Sequence, residues 1–290
     1  MTFSIVARDG EAYGVAVASK FLAVGAVVPG ARVGVGAVAT QSWARVAYVP
    51  ELLSRLEAGE SADSALSSAT ATDLGSATRQ VGVVGRTSAA TFTGEECLPW
   101  CGGVARVAAD GASAYAIQGN ILVGPEVVDA MERAWLGSSG ATFAQRLFAA
   151  LAAGDAAGGD SRGRQSAAVY AVEPGAGYDH SGVDADLRVD DHADPVTELG
   201  RLLDEWELYF GRPEDVQPLE GALADEVAQR LGRLGHPVDA GGAEAGAEAG
   251  VEAALVAWAG EVNYESRLAP GGIDRRVLEA LRAASDELAP

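Results

Sequence analysis

TFSIVARDGEAYGVAVASK, residues 2–20, decides the fold of the first part of the chain. Residues 3–7 read as a strand that begins at once, and residues 13–20 alternate as a second strand. Asp9-Gly10-Glu11 between them is a hairpin turn signal. Side chains alternate along a strand, so Gly14, Ala16, Ala18 and Lys20 share one face and Val15, Val17 and Ser19 the other. Antiparallel pairing through the turn is expected to bring Lys20 back beside Thr2.

Working outward, residues 33–40 (VGVGAVAT) read as another buried strand of small residues. Residues 48–58 and 61–70 read as helices, the first opened by Pro50 and the second capped by Ser61 and Asp63. Hairpins are expected over 80–85 with 89–93 and over 104–109 with 113–118; helices over 124–135 and 142–153; a strand over 166–172. Strands, two helices, strands, two helices and a strand, with the strands apolar on both faces, point to an α+β fold. A four-layer αββα sandwich suits this order, whereas the β–α alternation of a doubly wound sheet is absent.

The chemistry that fits is narrow. Threonine is small enough for Met1 to be trimmed, which would leave Thr2 with a hydroxyl and an α-amine of pKa roughly 7.7–8.0. Such an amine takes the hydroxyl proton without a histidine. Residues 1–179 hold no histidine, which excludes a Ser-His-Asp or Cys-His device there. Cys97 and Cys101 have no second cysteine pair for a zinc site, and phosphate-binding and dinucleotide glycine motifs are absent. Of 21 basic residues only Lys20 is a lysine. Its compact ammonium, unlike a guanidinium, shifts pKa readily, and beside Thr2 it would lower the amine's pKa.

Residues 1–178 hold 12 basic and 16 acidic residues, residues 179–290 hold 9 and 25, and the whole chain carries −20. An apolar first part is followed by an acidic, helical tail, a balance that repels nucleic acid. Pro29, Gly30 and Arg32 interrupt the apolar residues 21–38, so neither a secretion signal nor a membrane span is expected, and a cytoplasmic protein is. The tail reads as helices over 196–210, 219–234, 251–260 and 273–285, with a low-complexity linker over 239–250. Trp206, Tyr209, Phe210, Trp258 and Tyr264 form either its core or an interaction face.

Several loops carry polar candidates. Asn120 closes a strand and offers either an oxyanion donor or a turn asparagine. In the glycine-dense segment 158–166, Asp160 is placed to hold the α-ammonium or Lys20, Ser166 to hydrogen-bond the amine, and Arg162 or Arg164 to bind a carboxylate. Ser19, Thr40, Gln41, Gln118 and Gln165 complete the candidate substrate-binding set with Arg162. Asp190, Asp191, His192 and Asp194 read as a helix start rather than a metal site.

The whole of the segment opening TFSIVARDGEAYGVAVASKFLAVGAVVPGARVGVGAVATQSWA, with TGEECLPWCGG, AIQGNILVGPEVVDAM, GGDSRGRQSAAVYAV and DLRVDDHADPVTEL, resembles an uncharacterised bacterial family of unknown function. That family is grouped with the N-terminal-nucleophile (Ntn) hydrolases, the superfamily of proteasome β subunits. The resemblance covers residues 2–195 and implies the αββα sandwich and amide-bond hydrolysis by an N-terminal nucleophile. It favours Asp160 and Ser166, since proteasome-like enzymes draw an Asp and a Ser from a comparable place. Their active-site lysine lies on the third strand, near Arg32 here, so Lys20 is a departure. Residues 196–290 are similar to a helical tail often attached to the family and described as peptidoglycan-binding.

Together these readings give an Ntn-type domain over 1–195 and an acidic helical domain over 196–290. The catalytic set is Thr2, Lys20, Asn120, Asp160 and Ser166, with no cofactor or metal. A small-molecule or peptide amide is the expected substrate and a homo-oligomer the expected state; a non-catalytic scaffold or binding protein is the alternative.

Overall fold

A computed structural model describes residues 2–238 and 247–288. The chain divides into two compact units, with the break between Leu203 and Asp204.

The first unit carries β1 (Thr2–Asp9), β2 (Ala12–Ser19), β3 (Pro29–Arg32), β4 (Gly36–Ser42), α1 (Tyr48–Glu57), α2 (Ala62–Ala71), β5 (Arg79–Gly85) and β6 (Ala89–Thr93). It continues with β7 (Gly102–Val107), β8 (Ser113–Asn120), α3 (Glu126–Gly137), α4 (Phe143–Ala156), β9 (Ser166–Val172), β10 (Val183–Val189) and the start of α5 (Pro195–Phe210). Two sheets result, one ordered β10-β9-β2-β1-β8-β7 and one ordered β3-β4-β5-β6. Every pairing in them is antiparallel.

Burial follows from the period of two. Val6, Val15 and Val17 of the larger sheet form one core with Ala37, Ala39 and Val84 of the smaller, so the sheets share this layer. Valine and alanine fill it, and small residues are needed where the sheets meet: a Cβ on Gly82 would lie 2.3 Å from the Gln118 side chain. The opposite face of the smaller sheet packs against Leu52, Leu56, Ala65 and Leu66 of α1 and α2. Each leucine so buried contributes roughly 1.5–3 kcal/mol. Helices α3 and α4 pack against the larger sheet. Ser61 caps α2 as expected, accepting from Ser64 N, and Thr142 with Gln145 forms a capping box on α4.

Two strands were not legible in advance. β3 is short and begins on Pro29, and with it the strand expected at 33–40 shifts to Gly36–Ser42, because Gly34 turns the chain at φ +68°. β10 is an edge strand that alternates charged and apolar residues. The tail expected from residue 196 begins inside α5, whose Gly200 lies against Phe148 of α4 within the first unit.

The second unit holds the rest of α5, β11 (Gln217–Pro218), α6 (Gly221–Arg233), α7 (Ala247–Val262), β12 (Gly272–Ile273) and α8 (Arg275–Glu287). Val227, Leu231, Leu255, Trp258, Val277 and Leu281 form its core. Of the linker expected at 239–250, residues 239–246 lie outside the described residues and 247–250 are the first turn of α7, as their alanine and glutamate content favours. Trp258 is buried in this core and packs edge-on against the half-buried Tyr264, whose ring is tilted against that of Tyr209. Among the described residues no helix is long and apolar enough to cross a membrane.

Candidate active site

Thr2 opens β1, the strand with β2 on one side and β8 on the other. Its partner on β8 is Asn120, and on β2 the register Phe3↔Ala18 sets Ser19 opposite it. Ser19 in turn pairs with Ser166 on β9. Four polar residues thus form one row, Ser166–Ser19–Thr2–Asn120, across four adjacent strand ends, and all are buried. Thr2 shares its parity with Val6 and Ser19 with Val17, so both hydroxyls belong to the layer between the sheets. Thr2 Oγ1 lies 3.0 Å from Ser19 Oγ.

Lys20 does not join them. Its parity is opposite to that of Ser19, it follows the last residue of β2, and it is exposed. The ammonium donates to Arg164 O at 3.2 Å, while the Lys20 backbone N–H donates to Asp160 Oδ2 at 2.8 Å. The expected ammonium beside Thr2 is therefore corrected: the hairpin brings the backbone of residue 20 close, but the pleat turns its side chain away.

A buried amide network holds Thr2 instead. Gln41 Nε2 donates to Thr2 O at 3.2 Å and to Gln80 Oε1 at 2.8 Å. Asn120 Nδ2 donates to the same Gln80 Oε1 at 2.9 Å and to Thr2 O at 3.4 Å. Gln80 Nε2 donates to Gly119 O at 2.8 Å and Thr93 Oγ1 at 2.9 Å. Ser4 Oγ donates to Gln41 Oε1 at 2.7 Å and accepts from Gln118 Nε2 at 2.6 Å. The expected oxyanion role of Asn120 does not fit, because both its N–H groups are directed at Gln80 and the Thr2 carbonyl. Gln41 and Gln118 likewise brace the strands from within. Gln80 was not anticipated; its signal is a lone amide in an apolar strand, repeated by Gln41 on β4 and Gln118 on β8. Ile121, at φ +52°, turns the chain directly after Asn120 and is held there by its N–H to Leu98 O.

A cavity of about 280 Å³ adjoins Thr2, lined by Phe21, Val24, Val28, Gln41, Trp43 and Arg79 among others. Arg79 Nε pairs with Asp73 Oδ2 at 3.0 Å, and this guanidinium holds the Asp73 carboxyl down at about 2. Asp73 also accepts from Tyr48 OH at 2.8 Å, and burial together with that carboxylate pushes the Tyr48 phenol up to about 12.

The remaining expected residues act on this cavity indirectly or not at all. Ser166 Oγ accepts from Val24 N at 3.1 Å and donates to Phe21 O. Asp160 accepts from Lys20 N and from Arg162 N at 2.9 Å, and Arg162 Nη2 donates to Lys20 O at 3.1 Å. Asp160, Arg162 and Ser166 thus pin residues 20–24, one wall of the cavity, and the expected contacts of Asp160 and Ser166 with the α-amine give way to these. Gln165 Nε2 bonds Asp191 at 3.1 Å, away from Thr2. Thr40 has the parity of Val38, toward α1 and α2, and donates to Arg45 O at 3.3 Å. His192 Nδ1 accepts from Asp194 N at 3.1 Å just before α5, the helix-start geometry. Cys97 and Cys101 are free thiols.

Comparison with known proteins places these features in a family. Residues 2–199 match the model of a "Family of unknown function (DUF1028)", and residues 209–281 match a "Putative peptidoglycan binding domain". A crystal structure of a DUF1028 protein from Silicibacter pomeroyi is similar at 30% identity and TM-score 0.62, over 78% of this chain and 92% of that one. No curated protein matches the chain. Its C-terminal part is similar to that second domain model, and the chain belongs to the DUF1028 family of unknown function.

Proposed function

We propose that the first domain is an Ntn-type αββα sandwich and an amidohydrolase, cleaving a C–N amide bond of a small molecule or short peptide through Thr2. The observation that carries this reading is the position of Thr2: at the head of an inner strand, its hydroxyl 3.0 Å from Ser19, and itself among the residues that line a cavity. Removal of Met1, which lies outside the described residues, exposes the α-amine that the chemistry requires. The amine takes the Thr2 Oγ–H proton, and Oγ attacks the substrate carbonyl carbon. The C–N bond breaks as the leaving nitrogen takes that proton back. Water then attacks the acyl ester and regenerates the hydroxyl. Gln41 and Asn120, donating to the Thr2 carbonyl, hold the nucleophile in register for this sequence.

Screening the mature protein against a panel of amides, with Thr2→Ala as control, tests the assignment. Loss of all turnover in the variant at nearly unchanged thermal stability is expected; retained turnover rejects it.

The displacement of Lys20 from Thr2 favours a second reading, an Ntn-type scaffold without catalysis. Intact-mass analysis separates the two. A retained Met1 leaves the Thr2 nitrogen in an amide bond, unable to act as a base. The C-terminal domain would then carry the function through partner or cell-wall contact, and pull-down of the full chain with purified sacculi reports on it.

A further inference from the structure

We infer that the cavity beside Thr2 binds the neutral, apolar side chain of the substrate's acyl half, a single ring or a short branched alkyl chain. The inference deepens the amidohydrolase reading and rests on it for the word acyl, although the binding preference itself does not.

The walls set the chemistry. Val24 and Val28 are fully buried behind the cavity surface, and Phe21 and Trp43 stand at its mouth. Among the cavity's lining side chains the charged one is Arg79, and its charge is already matched. Asp73 sits 3.0 Å from Nε, and Nη1 donates to Trp43 O. A ligand carboxylate would compete with Asp73, which Tyr48 and the Gly75 N–H also hold in place. A ligand ammonium would meet the guanidinium and the apolar surface of Phe21, Val24, Val27 and Val28. Against these groups either charge would lose hydration without gaining a partner, whereas an apolar group loses nothing by entering.

Size follows from volume. A cavity of roughly 150 Å³ accommodates benzene, so about 280 Å³ admits one ring on a short tether.

The mouth presents fixed apolar surface to such a group. Trp43 is 73% exposed, and Phe21 51%. The Trp43 backbone is nonetheless fixed on both sides, its N–H on Thr78 O at 3.2 Å and its carbonyl on Arg79. An indole held out into water at a cavity entrance is apolar surface that a ligand can cover. The facing wall is equally fixed, since Ser166 and Asp160 tie down residues 20–24. A preformed site of this kind spares the ligand the cost of ordering it.

Four probes decide the matter: phenylacetamide and 4-methylpentanamide, and their charged counterparts succinamate and 4-aminobutyramide. Binding to the full-length Thr2→Ala protein is read by chemical-shift titration, so the result does not depend on turnover. The neutral pair is expected to bind at least ~10-fold more tightly than the charged pair. Trp43→Ala in the same background, at an exposed position that leaves the melting temperature unchanged, is expected to weaken the neutral pair ~5-fold and leave the charged pair unaffected. Equal or tighter binding of a charged probe, no binding of either neutral probe, or indifference to Trp43→Ala overturns the inference. Wild-type mature protein is assayed for hydrolysis of the same amides. Binding without hydrolysis sinks the amidohydrolase reading and leaves the binding preference standing.

Discussion

The hydroxyls of Thr2 and Ser19 lie 3.0 Å apart across the β1–β2 pair, each at the end of its strand and each turned into the layer between the sheets. At that distance Ser19 orients the Thr2 hydroxyl, making it a positioning residue for the proposed attack. Ser19→Ala is expected to lower kcat ~10–100-fold with little change in KM, because the substrate cavity is left intact. Stability should fall by only about 1 kcal/mol, the net worth of one hydrogen bond. Ser19→Thr should restore most of the rate. Steady-state kinetics on all three proteins check this, and a change confined to KM would remove Ser19 from the proposed mechanism.

Gln80 is the hub of the amide network, since its Oε1 accepts from both Gln41 and Asn120. Truncating it leaves two buried amide N–H groups without that acceptor and frees the carbonyls of Gly119 and Gly102 from its donor. Each unsatisfied buried group costs about 1–3 kcal/mol. Gln80→Ala is therefore expected to destabilise the first unit by about 3 kcal/mol or more. Urea unfolding measures it; a loss below 1 kcal/mol would mean that the network rearranges freely.

What could be read in advance follows from the range of each interaction. The β1–β2 hairpin was legible because its alternation and its Asp9-Gly10-Glu11 turn are local. Face parity was legible too, and it set Ser19 and Lys20 apart. Proximity of residue 20 to Thr2 nevertheless suggested an ammonium at the site, and only the fold reveals that Lys20 meets Asp160 through its backbone. Gln80 reaches Gly119 across 39 residues, and Gln118 reaches Ser4 across 114. No sequence window holds both ends of such a bond; only the polar interruption of an apolar strand marks each half. Ser166 is expected from the sequence to bond the α-amine, yet its partners lie in residues 21–24, more than 140 positions away.

Asp73 gives the cavity a pH dependence. Its carboxyl is held at about 2, below the usual 3.8, chiefly by the hydrogen bond from Arg79, with further donors in Gly75 N–H and Tyr48. A folded-state pKa below the unfolded one contributes stability that is complete above about pH 4 and is lost as pH falls toward 2. The contribution is at most about 2.5 kcal/mol. Urea midpoints at pH 7, 4 and 2.5 should fall less steeply for Asp73→Asn than for wild type. Parallel slopes would show that the Asp73–Arg79 pair does not shape the acid limb.

In the second unit Arg267 is 1% exposed and donates to Asp274 Oδ2 at 3.0 Å and to Glu207 O at 2.7 Å, with Glu214 3.7 Å away. Asp274, itself buried, also caps α8 by accepting from Arg276 N and Val277 N. Removing the guanidinium leaves a buried carboxylate without its main counter-charge, which typically costs 3–5 kcal/mol. Arg267→Met should therefore raise amide exchange in α8 by ~100-fold or more, at about 1.4 kcal/mol per factor of ten. Adding Asp274→Leu removes the stranded charge, but it also removes the cap. Only part of the protection should return, and the deficit of about 1 kcal/mol should fall on the first turn of α8. Full recovery throughout the helix would mean that Asp274 serves Arg267 alone and that the cap contributes nothing.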